Sequence, residues 1–244
     1  MSTEARPLLS IVIPVFNEAA TVETIVERVR RVPLPELRRE VIVVDDGSTD
    51  GTTEVLRRLP AGEDLRVLHL PHNRGKGAAL REGFRLTRGD YVIIQDADLE
   101  YDPNDYPQLL QPLLDDLADV VFGSRFLSGP HRVLYFWHYL GNRMLTLLSN
   151  VVSDLNLSDM ETCYKAFRGS VLRSLTLGCD RFGFEPEVTI KVARLGCRVY
   201  EVPVRYNGRT YAEGKKITWR DGIAALYWIA RTGLTTRRPP AVDR

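Results

Sequence analysis

A chain of 244 residues, 44% hydrophobic and 27% charged, is long enough to bury one good core and has the composition of an ordinary globular protein. Its 33 basic and 32 acidic side chains leave a net charge of +1, which argues against a nucleic-acid-binding role. Cys163, Cys179 and Cys197 lie far apart with no CxxC pair, so neither a disulfide framework nor a zinc site is expected, and the setting implied is a reducing cytoplasm.

Leu8–Pro14 is a short apolar run rich in β-branched residues, the pattern of a strand buried on both faces. It is too short, and too soon interrupted by Pro14, to be an export signal. A helix follows, with Val22, Ile25, Val26 and Val29 on one face until Pro33 and Pro35 stop it. Val41–Val44 is a second strand and Asp45-Asp46-Gly47-Ser48 its turn, with Asp50 placed to cap a helix ending near Leu59. Leu65–Leu70 predicts a third strand, Gly75–Leu86 a third helix, Tyr91–Gln95 a fourth strand and Val120–Phe122 a fifth. Alternation at these lengths implies right-handed βαβ units on a mostly parallel, Rossmann-like α/β sheet flanked by helices.

Beyond about residue 125 the pattern is less regular. Tyr135–Val152 reads as an unusually apolar helix, Cys163–Phe167 and Val199–Val204 as strands, and Glu185–Leu195 as a helix between them. Ile217–Leu234 closes the chain as a helix with Ile223, Leu226, Tyr227, Ala230 and Leu234 on one face. The expected organisation is one domain over residues 1–234, dividing near residue 125 into 8–125 and 126–234, with a flexible tail at 235–244. No apolar run approaches the roughly 20 residues that cross a bilayer.

In open α/β sheets, ligands bind beyond the carboxyl ends of the strands. Four polar clusters fall at those ends: Asn17-Glu18, Asp45-Asp46-Gly47, Asn73–Gly77 and Asp96–Glu100. Asp96 and Asp98, two apart where a buried strand runs out, point the same way and offer hard oxygen ligands for Mg²⁺ or Mn²⁺ with a substrate diphosphate. Asp45 and Asp46 offer acceptors for a nucleobase or ribose. Asn73-Arg74-Gly75-Lys76-Gly77 opens a helix whose amino end, with Arg74 and Lys76, favours an anion. It is neither a P-loop nor a dinucleotide fingerprint, because it follows the third strand and lacks their required residues. Arg125, Arg209, Lys215 and Lys216 are further candidates for phosphate contact. His69 and His72, at a strand end, form no metal-binding pattern.

The motifs SIVIPVFNEAATV (10–22), VIVVDDGSTDGT (41–52), NRGKGAAL (73–80), GDYVIIQDADLEYDP (89–103), GSR (123–125), DMETCYKAFR (159–168), RFGFEPEV (181–188) and YNGRTYAEGKKI (206–217) span nearly the whole chain. In that order they resemble family 2 glycosyltransferases of the GT-A fold, and within them the dolichol- or polyprenol-phosphate sugar synthases. The resemblance implies that residues 8–125 hold the sugar-nucleotide donor and 126–234 face the acceptor, and that Pro14, Phe16, Glu18 and Asp46 line a nucleoside pocket. It also implies that Asp96, Ala97, Asp98 and Glu100 surround the metal and diphosphate, that Arg125 and Arg209 face phosphates, and that Asp159 and Glu161 border the acceptor. Glu100 stands where such enzymes carry Gln or Glu. Many relatives continue into transmembrane helices, which this sequence lacks.

The expected reaction inverts the anomeric centre in one in-line displacement. A hexose passes from a GDP- or UDP-sugar to an acceptor, foremost a polyprenyl or dolichyl phosphate. An ionised lipid phosphate needs no general base, whereas a hydroxyl on a soluble or cell-envelope glycan would need Asp159 or Glu161 to take its proton. The apolar helices beside Arg132, Arg143, Arg231, Arg237 and Arg238 suit peripheral contact with the cytoplasmic face of a membrane, or with a second subunit. Two rivals differ in class. A non-catalytic sugar-nucleotide-binding module would need no metal carboxylates, and a nucleotidyltransferase would carry a glycine-rich loop where Pro14–Glu18 stands.

Overall fold

A computed structural model of the protein describes residues 6–60, 62, 64–127, 132–133, 135–210, 213 and 219–236. Lys215, Lys216, Arg237, Arg238 and the tail from 237 onward lie outside the described residues.

One seven-stranded sheet runs through both halves of the chain. Its strands are β1 (Leu8–Val15), β2 (Arg38–Asp45), β3 (Leu65–His69), β4 (Tyr91–Ile94), β5 (Val120–Ser124), β6 (Lys165–Arg168) and β7 (Val199–Pro203), in the order β3-β2-β1-β4-β6-β5-β7. The central strands are buried on both faces, as their β-branched runs require: Ile11, Val12, Ile13, Val41, Ile42, Val43 and Val92 are fully enclosed. Helices α1 (Val22–Arg31), α2 (Thr52–Arg58), α3 (Lys76–Leu86), α4 (Tyr106–Leu114), α5 (Phe136–Ser153), α6 (Gly169–Ser174), α7 (Phe184–Arg194) and α8 (Trp219–Thr235) complete the fold.

The sequence reading meets three differences. β6 is antiparallel to both neighbours, slotted between β4 and β5, while every other pair in the sheet is parallel. Because β6 runs backwards, the residues that lead into it, Glu161 to Cys163, arrive at the same edge as the carboxyl ends of β4 and β5. Helix α4 went unread because Pro107 and Pro112 lie within it, yet Leu109, Leu110 and Leu113 are fully buried against the sheet. Asp50 does not itself cap α2. Gly51 does, at φ +95°, while the Asp50 carboxylate accepts from the Thr52 amide at 3.1 Å and the Thr52 hydroxyl at 2.5 Å.

Helix α5 inverts the usual amphipathic rule. Its fully buried positions are polar, Thr146, Ser149 and Ser153, while Leu145 and Val152 are half-buried against the core and most of its other apolar side chains face outward, with Trp137 76% and Val151 74% exposed. Ile223, Tyr227 and Leu234 of α8, which packs beside α5, are exposed as well. The face predicted for α8 is therefore real but turned to the outside, and Ala225, Ile229 and Thr232 fill the interior instead. No helix among the described residues is long and apolar enough to cross a membrane.

Candidate active site

The carboxyl ends of the strands rim a cavity of about 460 Å³. Pro14, Phe16 and Glu18 reach it from the end of β1, Asp46 from the end of β2, Lys76 from α3, and Asp96, Ala97, Asp98 and Glu100 from beyond β4. Arg125, Glu161 and Arg209 join them from later in the chain. A single edge thus collects residues more than 190 positions apart in sequence, as when Arg209 meets the Glu18 carboxylate at 3.0 Å.

Asp46 organises the wall of the cavity beyond β2. Its carboxylate accepts from the amides of Arg74 at 2.9 Å and Gly75 at 2.7 Å and from the Asn73 side chain at 3.0 Å. Gly47 makes the turn at φ +68°, where an added Cβ would strike the His72 backbone at 2.6 Å. Neighbouring Asp45 is not part of this pocket. It points back into the fold, where Ser48, Thr53 and His69 hydrogen-bond its carboxylate. Period-two alternation separates the two: side chains one residue apart at a strand end face opposite ways.

The amino end of α3 is not an open anion site either. The amides of Arg74 and Gly75 serve Asp46, and Ala78 donates to the Asp180 carbonyl at 3.0 Å. Arg74 turns outward to Glu82. Of that cluster, Lys76 supplies the charge in the cavity, held between Asp96 at 2.9 Å and Glu185 at 3.3 Å.

Burial, and then the repulsion of Asp96 and Glu100, push the Asp98 carboxyl up to about 7. Such a group gains from a nearby cation, and an all-oxygen donor set is what Mg²⁺ and Mn²⁺ take. Asp96 and Asp98 therefore fit a divalent metal that keeps its other positions for phosphate and water. Glu100 is engaged elsewhere: one carboxylate oxygen accepts from Tyr206 Oη at 2.8 Å and the other from the Arg209 amide at 2.6 Å. Among the described residues no three His, Cys, Asp or Glu side chains converge on one metal position. The Arg209 guanidinium also reaches the Asp98 carbonyl at 2.5 Å, so residues 206–209 are tied down across the carboxylate edge.

Arg125 stands on the border of a second cavity of about 330 Å³, walled by Phe126, Tyr135, Phe136 and Tyr139 with Arg132 at its rim. Arg125 and Tyr206 line both cavities. The guanidinium is clamped by Asp159, Nε to Oδ2 at 2.6 Å and Nη2 to Oδ1 at 2.7 Å, and lies 5.1 Å from the Tyr206 ring centre. Burial alone would raise Asp159, but the Arg125 charge and the hydrogen bonds from Arg125 and Asn142 together outweigh it and hold the carboxyl below its usual range. Asp159 is wholly buried and lines neither cavity, so the placement expected of a base is not met; it orients Arg125 instead. Glu161 lines the first cavity, beside the carboxylates beyond β4, rather than the second. Tyr101, Arg181, Glu185 and Tyr206 complete the first cavity without having been singled out in the sequence. The RFGFEPEV motif carried the signal for Arg181 and Glu185, and no periodicity marked them as facing a site.

Residues 10–176 match the family described as Glycosyl transferase family 2. The chain belongs to that family. It is 33% identical to the undecaprenyl-phosphate mannosyltransferase of Micrococcus luteus, over 93% of this chain and 94% of that one. It is 30% identical to the undecaprenyl-phosphate 4-deoxy-4-formamido-L-arabinose transferase of Aeromonas hydrophila, over 85% of this chain but 62% of that relative's length. Among solved structures, the transferase resembles the glucosyl-3-phosphoglycerate synthase of Mycobacterium tuberculosis with a TM-score of 0.73 at 23% identity, covering 96% of this chain and 81% of that one. That synthase was crystallised with Mn²⁺ and UDP, and separately with Mg²⁺ and UDP. The fold of the transferase is accordingly the GT-A arrangement that its motifs implied, with β6 as its reversed strand.

Proposed function

We propose that the transferase moves a hexose from a nucleoside diphosphate sugar to a polyprenyl phosphate held at a membrane surface. The observation that carries this reading is the pair of adjoining cavities divided by Arg125 and Tyr206. One is rich in carboxylates and suits a metal-bound diphosphate. The other is walled by aromatic rings, has two arginines at its polar end, and opens beside the exposed apolar stripe of α5. An anion with a long apolar tail matches that second cavity in both charge and shape. The undecaprenyl phosphate named for the bacterial relatives has this chemistry.

In the proposed reaction an acceptor phosphate oxygen bonds to the anomeric carbon as the bond from that carbon to the donor diphosphate breaks. The electron pair leaves with the nucleoside diphosphate, the anomeric centre inverts, and no proton moves. Asp96 and Asp98 would hold Mg²⁺ or Mn²⁺, which supplies positive charge to the departing diphosphate. Arg125, fixed by Asp159, neutralises and aims the incoming phosphate, and Arg132 holds its other oxygens. Arg209 screens the phosphates from Glu18 and Asp98. Because an ionised phosphate is its own nucleophile, Asp159 is free to act as the support for Arg125.

The exposed faces of α5 and α8 would lie on the cytoplasmic leaflet, with Arg143 and Arg231 at its anionic headgroups. A donor panel of UDP- and GDP-sugars with Mn²⁺ and a short polyprenyl phosphate tests the activity. The expected result is a metal-dependent glycosyl phospholipid product. Transfer to a glycan hydroxyl, with none to the lipid phosphate, would overturn the acceptor assignment.

A further inference from the structure

Among the described residues, five buried side-chain polar atoms have no hydrogen-bond partner, and two of them are carboxylate oxygens at the same cavity: Glu161 Oε1 and Glu185 Oε2. Both side chains line the donor cavity, and Glu185 is only 4% exposed. Buried acceptors of this kind are normally satisfied by the fold, and those that are not are met by ordered water, an ion or a ligand; here both open into a ligand-sized cavity.

Their surroundings sharpen the point. Lys76 serves Asp96 as well as Glu185, so its charge is divided. Lys165, the other buried ammonium nearby, donates to the carbonyls of Met160 and Thr162 and lies 4.9 Å from the Phe122 ring centre, leaving Glu161 Oε1 unserved. The two glutamates reach the cavity from different elements, Glu161 ahead of the reversed strand β6 and Glu185 in the first turn of α7. They therefore meet through the fold and not through a local sequence pattern.

We propose that Glu161 and Glu185 form the subsite that binds the hydroxyls of the donor's sugar, selecting a neutral hexose with free hydroxyls over an anionic one. This rests on the donor reading above. Lys76 links Glu185 to Asp96, so the pair adjoins the expected diphosphate site and lies away from the nucleoside wall of Pro14, Phe16 and Asp46. Sugar hydroxyls are the donors that two open carboxylate oxygens lack. Burial, and then the Glu185 charge, push the Glu161 carboxyl up to about 8, so near neutral pH it also presents an O–H to a sugar oxygen. A uronate would bring a further carboxylate beside Glu185 and Asp96, whose charges already share the single ammonium of Lys76, and would be refused.

Titration calorimetry with Mn²⁺ tests the subsite. UDP and GDP are titrated first: failure of both to bind the unaltered transferase would sink the donor reading itself, whatever the glutamates do. With the nucleotide that binds, its hexose conjugate (UDP-glucose or GDP-mannose) is then compared across the unaltered protein, Glu161→Gln and Glu185→Gln. The expected result is about a tenfold loss of affinity for the sugar nucleotide in each variant, with affinity for the bare nucleoside diphosphate held within about twofold. If UDP is the nucleotide, UDP-glucuronate should bind the unaltered protein about tenfold more weakly than UDP-glucose, and the gap should narrow in the variants. Equal losses for the bare and sugar nucleotides, or no loss for either, would overturn the subsite. Glu161→Gln puts a neutral amide of similar shape in place of a carboxyl that holds its proton near neutral pH and should fold, which keeps the test decisive if Glu185→Gln does not.

Discussion

Helices α1 and α5 obey the same periodicity and bury opposite chemistries. In α1 the apolar set Val22, Ile25, Val26 and Val29 is sealed against the sheet. In α5 the sealed set is Thr146, Ser149 and Ser153; Leu145 and Val152 are half-buried against the core, and most other apolar side chains face outward. The amino-terminal half thus buries the apolar face of its helix within the fold, while α5 in the carboxyl-terminal half leaves much of its apolar surface outside it. An amphipathic pattern shows that a helix has two faces; which face is inside depends on what lies on the other side.

The largest effect expected on the donor side comes from Asp98→Ala, which should lower transfer by about a thousandfold while leaving the melting temperature unchanged or raised, since it removes a repelled carboxylate. A steady-state transfer assay and a thermal melt check it together. On the boundary between the halves, Arg125→Met strands the buried Asp159 charge and should cost about 3–5 kcal/mol, read by urea unfolding. Adding Asp159→Leu should recover much of that stability without recovering transfer. If activity returned as well, Arg125 would have no role beyond the fold.

The helix comparison can be broken directly. Val26→Ala in α1 should destabilise by about 1–3 kcal/mol, because it opens a cavity at a fully buried position, whereas Val151→Ser in α5 should change stability by less than about 0.5 kcal/mol. Pairing Trp137→Glu with Val151→Glu should strip the protein from anionic vesicles in a sedimentation assay and leave nucleotide binding intact. Retention on vesicles would show that the outward face of α5 serves something other than lipid.

The smallest effect expected is a pH-dependent one. The Glu161 carboxyl, ordinarily near 4.5, is pushed to about 8 by burial and then by Glu185, so the folded state holds its proton more tightly than the unfolded chain. Its contribution to stability is complete below pH 4.5 and is lost as pH rises towards 8. Glu161→Gln should therefore melt close to the unaltered protein at pH 4.5 and a few degrees above it at pH 8, by calorimetry at both values.

Much of the donor half was legible because buried parallel strands leave continuous apolar runs, and their carboxyl ends carry the polar residues. The rest was hidden for physical reasons. Periodicity identifies a strand but not its partners, so nothing in KAFR indicates that β6 enters reversed between β4 and β5. Asp45 and Asp46 are the same residue type side by side, yet one is consumed by Ser48, Thr53 and His69 and the other faces the cavity. Pro112 masked α4, because a proline's cost within a helix is local and burial of Leu109, Leu110 and Leu113 outweighs it. Glu185 has no local signature, since its importance lies in an oxygen that the fold leaves without a partner.

The reversed strand β6 also sets an order of events during synthesis. β5 is made some forty residues before β6, yet it touches β4 only through β6. Until residue 168 has left the ribosome, β4 has an open edge and β5 has no place in the sheet. Residues 8–125 therefore cannot finish folding ahead of residues 126–234, although they come first in the chain. A nascent chain halted after Ser124 would contain Asp96 and Asp98 on an incomplete sheet, and the last strand to close that gap delivers Glu161 to the cavity as it docks.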